Sequence, residues 1–136
     1  MPEDHALPRE LGLVLLAQGR RDEALTDALR EPEGWCRLWA FAIIYYAADR
    51  RDESEVALQE LIAKHSVDAA YQVATVYAAR RETDLAFAWL ERAYAQRDTG
   101  LSDMKSDPLL RSLQVDPRWE GFLRKAGFQT LPNKAA

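Results

Sequence analysis

Three charged triplets, Arg20-Arg21-Asp22, Arg50-Arg51-Asp52 and Arg80-Arg81-Glu82, recur along the chain 30 residues apart. Each follows an Ala-rich apolar segment (Leu11 to Gln18, Trp35 to Ala48, Ala69 to Ala79) and precedes an amphipathic one (Glu23 to Arg30, Glu53 to Lys64, Thr83 to Gln96). Self-similarity at a period of 20–50 residues is the mark of stacked supersecondary units. Such a chain buries its apolar residues between successive helices instead of around one central core.

The segments carry a helical period. Tyr71, Ala74 and Ala78 fall on one face, Val73, Val76 and Tyr77 on another, and Leu85, Ala86, Trp89, Leu90, Ala93 and Tyr94 continue it. Composition agrees: 22 Ala and 18 Leu stand against 14 Val, Ile and Thr together, and β-branched residues lose rotamer freedom in a helix. Pro32 and Gly34 break the first unit from the second. Ser66 is expected to cap a helix starting near Val67, and Asp52 with Glu55 has capping-box spacing. After Asp98-Thr99-Gly100 the period stops. Asp107-Pro108 and Asp116-Pro117 each place a cap acceptor before a proline suited to a first helical turn. Two short helices follow, Pro108 to Leu113 and Pro117 to Ala126, closed by Gly127, with residues 129–136 as a mobile tail.

These units resemble the tetratricopeptide repeat. The third supplies Val73, Ala74, Tyr77, Ala86, Leu90 and Ala93, and the first Leu11, Gly12, Leu15, Gly19, Ala24 and Ala28. The second is read as Trp39, Ile43, Tyr46, Ala57 and Leu61, with one extra residue after the turn. The closing stretch, from Ala93-Tyr94 through Asp107-Pro108-Leu109-Leu110 to Asp116-Pro117-Arg118-Trp119 and Phe122-Leu123, is similar to the C-terminal segment of bacterial regulatory and signalling proteins of this type. The resemblance implies an all-α, right-handed α–α superhelix, a helix-pair solenoid. Three units (7–31, 34–65, 67–97) and a C-terminal cap (107–128) form a single domain.

Several function classes are disfavoured. A net charge of −4 and a pI near 5.2 argue against a nucleic-acid binder. The single Cys36 leaves no disulfide framework or cysteine metal cluster. No apolar run is long enough to span a membrane, and Met1-Pro2-Glu3-Asp4 lacks a signal-peptide pattern, so a cytoplasmic location is expected. His65, Ser66 and Asp68 lie together at a helix junction, where a catalytic triad cannot converge. With only two histidines there is no metal-ligand spacing, and the scattered glycines form no phosphate loop. No catalytic residue, metal or cofactor is expected.

Binding is the remaining function. In the resembled family the first helix of each pair lines a concave groove. In register, that implies Arg9, Leu13 and Leu16, then Arg37, Ala40 and Ile44, then Tyr71, Thr75 and Ala78. A mostly apolar groove with these polar handles suits a protein partner presenting a helix or an extended peptide; a small apolar ligand is the alternative. Arg20, Arg21, Arg50, Arg51, Arg80 and Arg81 would line one edge as a basic ladder, though acids follow each pair. The first helix, with Leu7, Leu11, Leu13, Val14, Leu15 and Leu16, is apolar at almost every angle. A terminal repeat should show a polar outer face, so either preceding repeats have been lost or this side is an association surface, and of the two homodimerisation through this helix is the favoured expectation.

Overall fold

In a computed structural model the described residues are 19–30 and 34–127, without the side chains of Arg21 and Asp27. They form helices and no strand: α1 (Arg21–Ala28), α2 (Trp35–Ala47), α3 (Arg51–His65), α4 (Ala70–Ala79), α5 (Thr83–Ala95), the 3-10 helices η1 (Thr99–Ser106) and η2 (Pro108–Leu113), and α6 (Arg118–Lys125). The fold is all-α. The chain divides into two compact units, Met1–Ser66 and Val67–Ala136, with the boundary between the second and third repeats. The first helix of the first repeat and the tail from 129 lie outside the described residues.

In the N-terminal unit, α2 reads Trp-Cys-Arg-Leu-Trp-Ala-Phe-Ala-Ile-Ile-Tyr-Tyr-Ala and is apolar on most faces. Such a helix must be covered on more than one side. It packs against both α1 and α3. Toward α1, Ala40 and Ile44 join Ala24 and Ala28 in a buried cluster bordered by Leu25 and Phe41. Helix α3 turns Ser54, Ala57, Leu58 and Leu61 inward, an i, i+3, i+4, i+7 stripe.

In the C-terminal unit, α4 is buried from Ala70 and Tyr71 through Val73–Ala78. One side faces α5, which contributes Ala86, Phe87, Leu90 and Ala93, and another is covered by η2. Met104, Leu110 and Leu113 are fully buried there, each burial worth about 1.5–3 kcal/mol. The cap is fastened at Tyr71. Its backbone N–H donates to Asp98 Oδ2 at 3.0 Å and its hydroxyl to Asp107 Oδ2 at 2.6 Å. The other oxygen of each aspartate caps a 3-10 helix, accepting from Gly100 N at 2.8 Å and Leu109 N at 2.9 Å. Gly100 is required for this approach, because a Cβ there would lie 2.8 Å from Tyr71 Cδ2.

One turn design recurs. Asp49, Arg81 and Arg97 have φ values of 65°, 63° and 56°. At each the next residue's N–H reaches back five residues and its own reaches back three: Arg50 to Tyr45 and Asp49 to Tyr46, Glu82 to Tyr77 and Arg81 to Ala78, Asp98 to Ala93 and Arg97 to Tyr94. These are Schellman closures, and they satisfy the last carbonyls of α2, α4 and α5.

The turns also correct the repeat register. Gly19, Asp49 and Arg81 occupy the left-handed position, and Arg20, Arg50 and Glu82 then accept from Ala24, Ser54 and Ala86 N. The structural interval is therefore 30 residues and then 32. In the second repeat the buried small position on α3 is Ser54, whose hydroxyl donates to the Ala42 carbonyl. Ala42 and Ser54 correspond to Ala74 and Ala86, all fully buried, so no extra residue follows that turn. Two expected caps also move. Ser66 closes α3 and α4 begins at Ala70, while Asp52 sits inside α3 because Arg50 is the cap position.

Candidate interaction surface

Helix α2 places Arg37, Phe41 and Tyr45 at i, i+4 and i+8, on one face. The Arg37 guanidinium lies 5.6 Å from the Phe41 ring centroid, Phe41 and Tyr45 are tilted rings 5.4 Å apart, and Arg50 stacks 4.8 Å over Tyr45. The result is a cation–aromatic–aromatic–cation ladder along the helix and around its turn. Cation–π pairs at exposed positions contribute about 0.5–1 kcal/mol each.

Opposite this ladder, α3 presents Glu53, Val56, Ala57, Glu60 and Lys64. The two walls enclose an open cleft of about 750 Å³. Its apolar lining is Leu38, Phe41, Ala57 and Val56, the last 67% exposed. The hairpin is antiparallel, so the start of α2 (Gly34, Arg37) shares one end of the cleft with Lys64 and His65 from the end of α3. Lys64 pairs with Glu60 at 2.8 Å. Arg37 pairs with no carboxylate among the described residues. At the turn end Arg50 forks onto Glu53, with Nε 3.0 Å from Oε1, and also lies in the field of Asp22.

Of the residues expected to line a groove, Arg37 borders this cleft. Ala40 and Ile44 sit in the interior against α1. Tyr71, Thr75 and Ala78 are interior too: Tyr71 is held by Asp98 and Asp107, Thr75 Oγ1 donates to Gln72 O at 2.7 Å, and Ser112 donates to the Ala78 carbonyl at 2.9 Å. The reason is the cap, which packs on the side of α4 that an open groove would need. Arg9, Leu13 and Leu16, with the proposed dimer helix, lie outside the described residues.

The three arginine pairs do not occupy equivalent positions relative to their turns. Arg20 is forked onto Glu23 at 2.6 and 2.5 Å, and Arg51 faces Asp49 at 3.6 Å and the Tyr46 ring at 5.0 Å. The third pair sits two residues earlier relative to its turn. Arg81 therefore becomes the left-handed residue, and the Arg80 side chain is only 7% exposed. The side chain of Arg21 lies outside the described set.

A second cleft, of about 530 Å³, separates α5 from α6 in the C-terminal unit. Its charges are paired across it: Arg118 with Asp84 at 3.0 Å, and Lys125 with Glu91. Arg118 also lies 4.6 Å over Phe87. Its side chain and backbone N–H together hold the Asp116 carboxyl down at about 2. This seam fastens α6 in place. Among the described residues no group of His, Cys, Asp and Glu could hold a metal ion, and no helix is long and apolar enough to cross a membrane.

Phe41, Tyr45 and Val56 are the surface residues that pattern reading passes over. Their signals were present: an i, i+4, i+8 run of Arg, Phe and Tyr, and a lone Val among the acids of α3. Comparison with family models, curated proteins and solved structures finds no match to this chain.

Proposed function

We propose that the chain is a non-catalytic protein-interaction module that engages its partner through the α2–α3 cleft. Its helical hairpins would be units of a right-handed α–α superhelix of tetratricopeptide type. The observation that carries the reading is the ladder of Arg37, Phe41, Tyr45 and Arg50 beside the exposed Val56. Arginine and aromatic anchors around an apolar centre are the composition of interface hot spots. A small apolar ligand is the second reading, favoured by a cleft volume within the usual 300–1,000 Å³ of ligand sites.

A photo-crosslinking residue at position 56 of the full chain, in its native cell, tests the two. A protein adduct at position 56, absent from a control at the 88%-exposed Val115, is the expected result. No adduct at 56, with a small molecule co-purifying by native mass spectrometry, would overturn the protein reading and support the ligand one.

A further inference from the structure

We propose that the C-terminal cap, from Asp98 through α6, is exchanged between two copies of this chain, each cap seating on the α4 and α5 of the other. The α2–α3 cleft plays no part in it. The cap is closed upon itself. Asp98 and Asp107 hold the first turns of η1 and η2 through Gly100 N and Leu109 N, and the carbonyls of Asp98, Met104 and Asp107 accept from Leu101, Asp107 and Leu110 N. Side chains tie it to the rest of its unit: Asp98 and Asp107 to Tyr71, Ser112 to the Ala78 carbonyl, Arg118 to Asp84 and Lys125 to Glu91. Ties of this kind are the same whichever copy supplies the cap.

The join between α5 and the cap is Arg97, left-handed at φ 56°. Its N–H and that of Asp98 turn back to the Tyr94 and Ala93 carbonyls, at 3.1 and 2.9 Å, and reverse the chain there. A short hinge strained in the closed form relaxes on opening, which favours exchange. With Arg97 in the right-handed region the chain runs on past the end of α5 and carries the cap away. A released cap bares Leu101, Met104, Leu110 and Leu113, together with the α4 face that they cover. The seat that fits both surfaces is the same one on a second copy, where every tie is remade and the hinge is unstrained. Reciprocal exchange closes as a two-fold dimer.

The test uses the full chain, with labelled (nitrogen-15) and unlabelled copies refolded together at high concentration. Sedimentation is expected to show a dimer fraction that rises with concentration, with unchanged helical circular dichroism. The Lys125–Glu91 ion pair reports on exchange. A carbodiimide condenses the Lys125 amine with the Glu91 carboxylate into an amide, the water lost being taken up as the urea. Mass spectrometry of that linked peptide pair from the dimer is expected to find labelled Glu91 joined to unlabelled Lys125, and the reverse. Arg97→Gly removes the strain at both hinges of the dimer, so its dissociation constant is expected to rise about fivefold or more. Wild-type monomer at every concentration overturns the proposal, as does an unchanged dissociation constant in Arg97→Gly. A dimer whose Glu91–Lys125 links each carry one isotope overturns it too, since its copies then pair through their surfaces.

Discussion

Tyr71 holds two aspartates from different segments and is almost completely buried. Burial first, and then the neighbouring Asp107 carboxylate, push its phenol well above the ordinary tyrosine range. The folded form therefore keeps the proton, while the unfolded chain releases it near pH 10. The sign is fixed: stability from this group is complete below about pH 10 and falls as pH rises further, by about 1.4 kcal/mol per pH unit. Tyr71→Phe is expected to be less stable at pH 7, by about 1–3 kcal/mol for the lost bond and the stranded carboxylate. Its alkaline decline should also be shallower than wild type. Urea unfolding at pH 8 to 11 reads both, and parallel declines would show that another group governs the alkaline limit.

At the scale of elements, three helices end on a left-handed residue that is not glycine. That conformation costs an L-residue about 1–2 kcal/mol, against about 0.5–1 kcal/mol of extra chain entropy lost by glycine. Arg97 is the cleanest case, since no hydrogen bond or ion pair among the described residues holds its side chain. Arg97→Gly should raise stability by about 0.5–1 kcal/mol, seen as a higher urea midpoint with an unchanged slope; a lower midpoint would refute strain at this turn. These turns also explain what the sequence could and could not reveal. Helices, breaks and the two Asp-Pro caps are legible because periodicity, Pro32 and the cap acceptors are local signals. Register is less so. Ser54 reads as a polar surface residue until its hydroxyl is seen on the Ala42 carbonyl, and the third arginine pair mimics the first two while sitting two residues out of phase. The groove residues on α4 look like a free face because the cap covering them starts some 20 residues downstream, at η1. Apolar period marks a face as buried without saying by what.

Over the whole molecule, each compact unit carries its own buried residues: Ala24, Ala28, Ala40 and Ile44 in the first, and Val73, Leu90, Met104, Leu110 and Leu113 in the second. A fragment spanning 67–136 is expected to keep its helical circular dichroism and unfold cooperatively. A featureless, gradual melt would mean that it depends on the preceding residues. The two units also differ in the reach of their ties. The buried Ser54–Ala42 bond spans 12 residues, whereas Tyr71 is fastened to Asp98 and Asp107 across 27 and 36. On the ribosome this becomes a matter of timing. The α2–α3 hairpin can close while the rest is still being translated. Helix α4, apolar on most sides, stays incompletely covered until Asp107 and the leucines after it have left the exit tunnel. Over that interval the nascent chain is most in need of a chaperone.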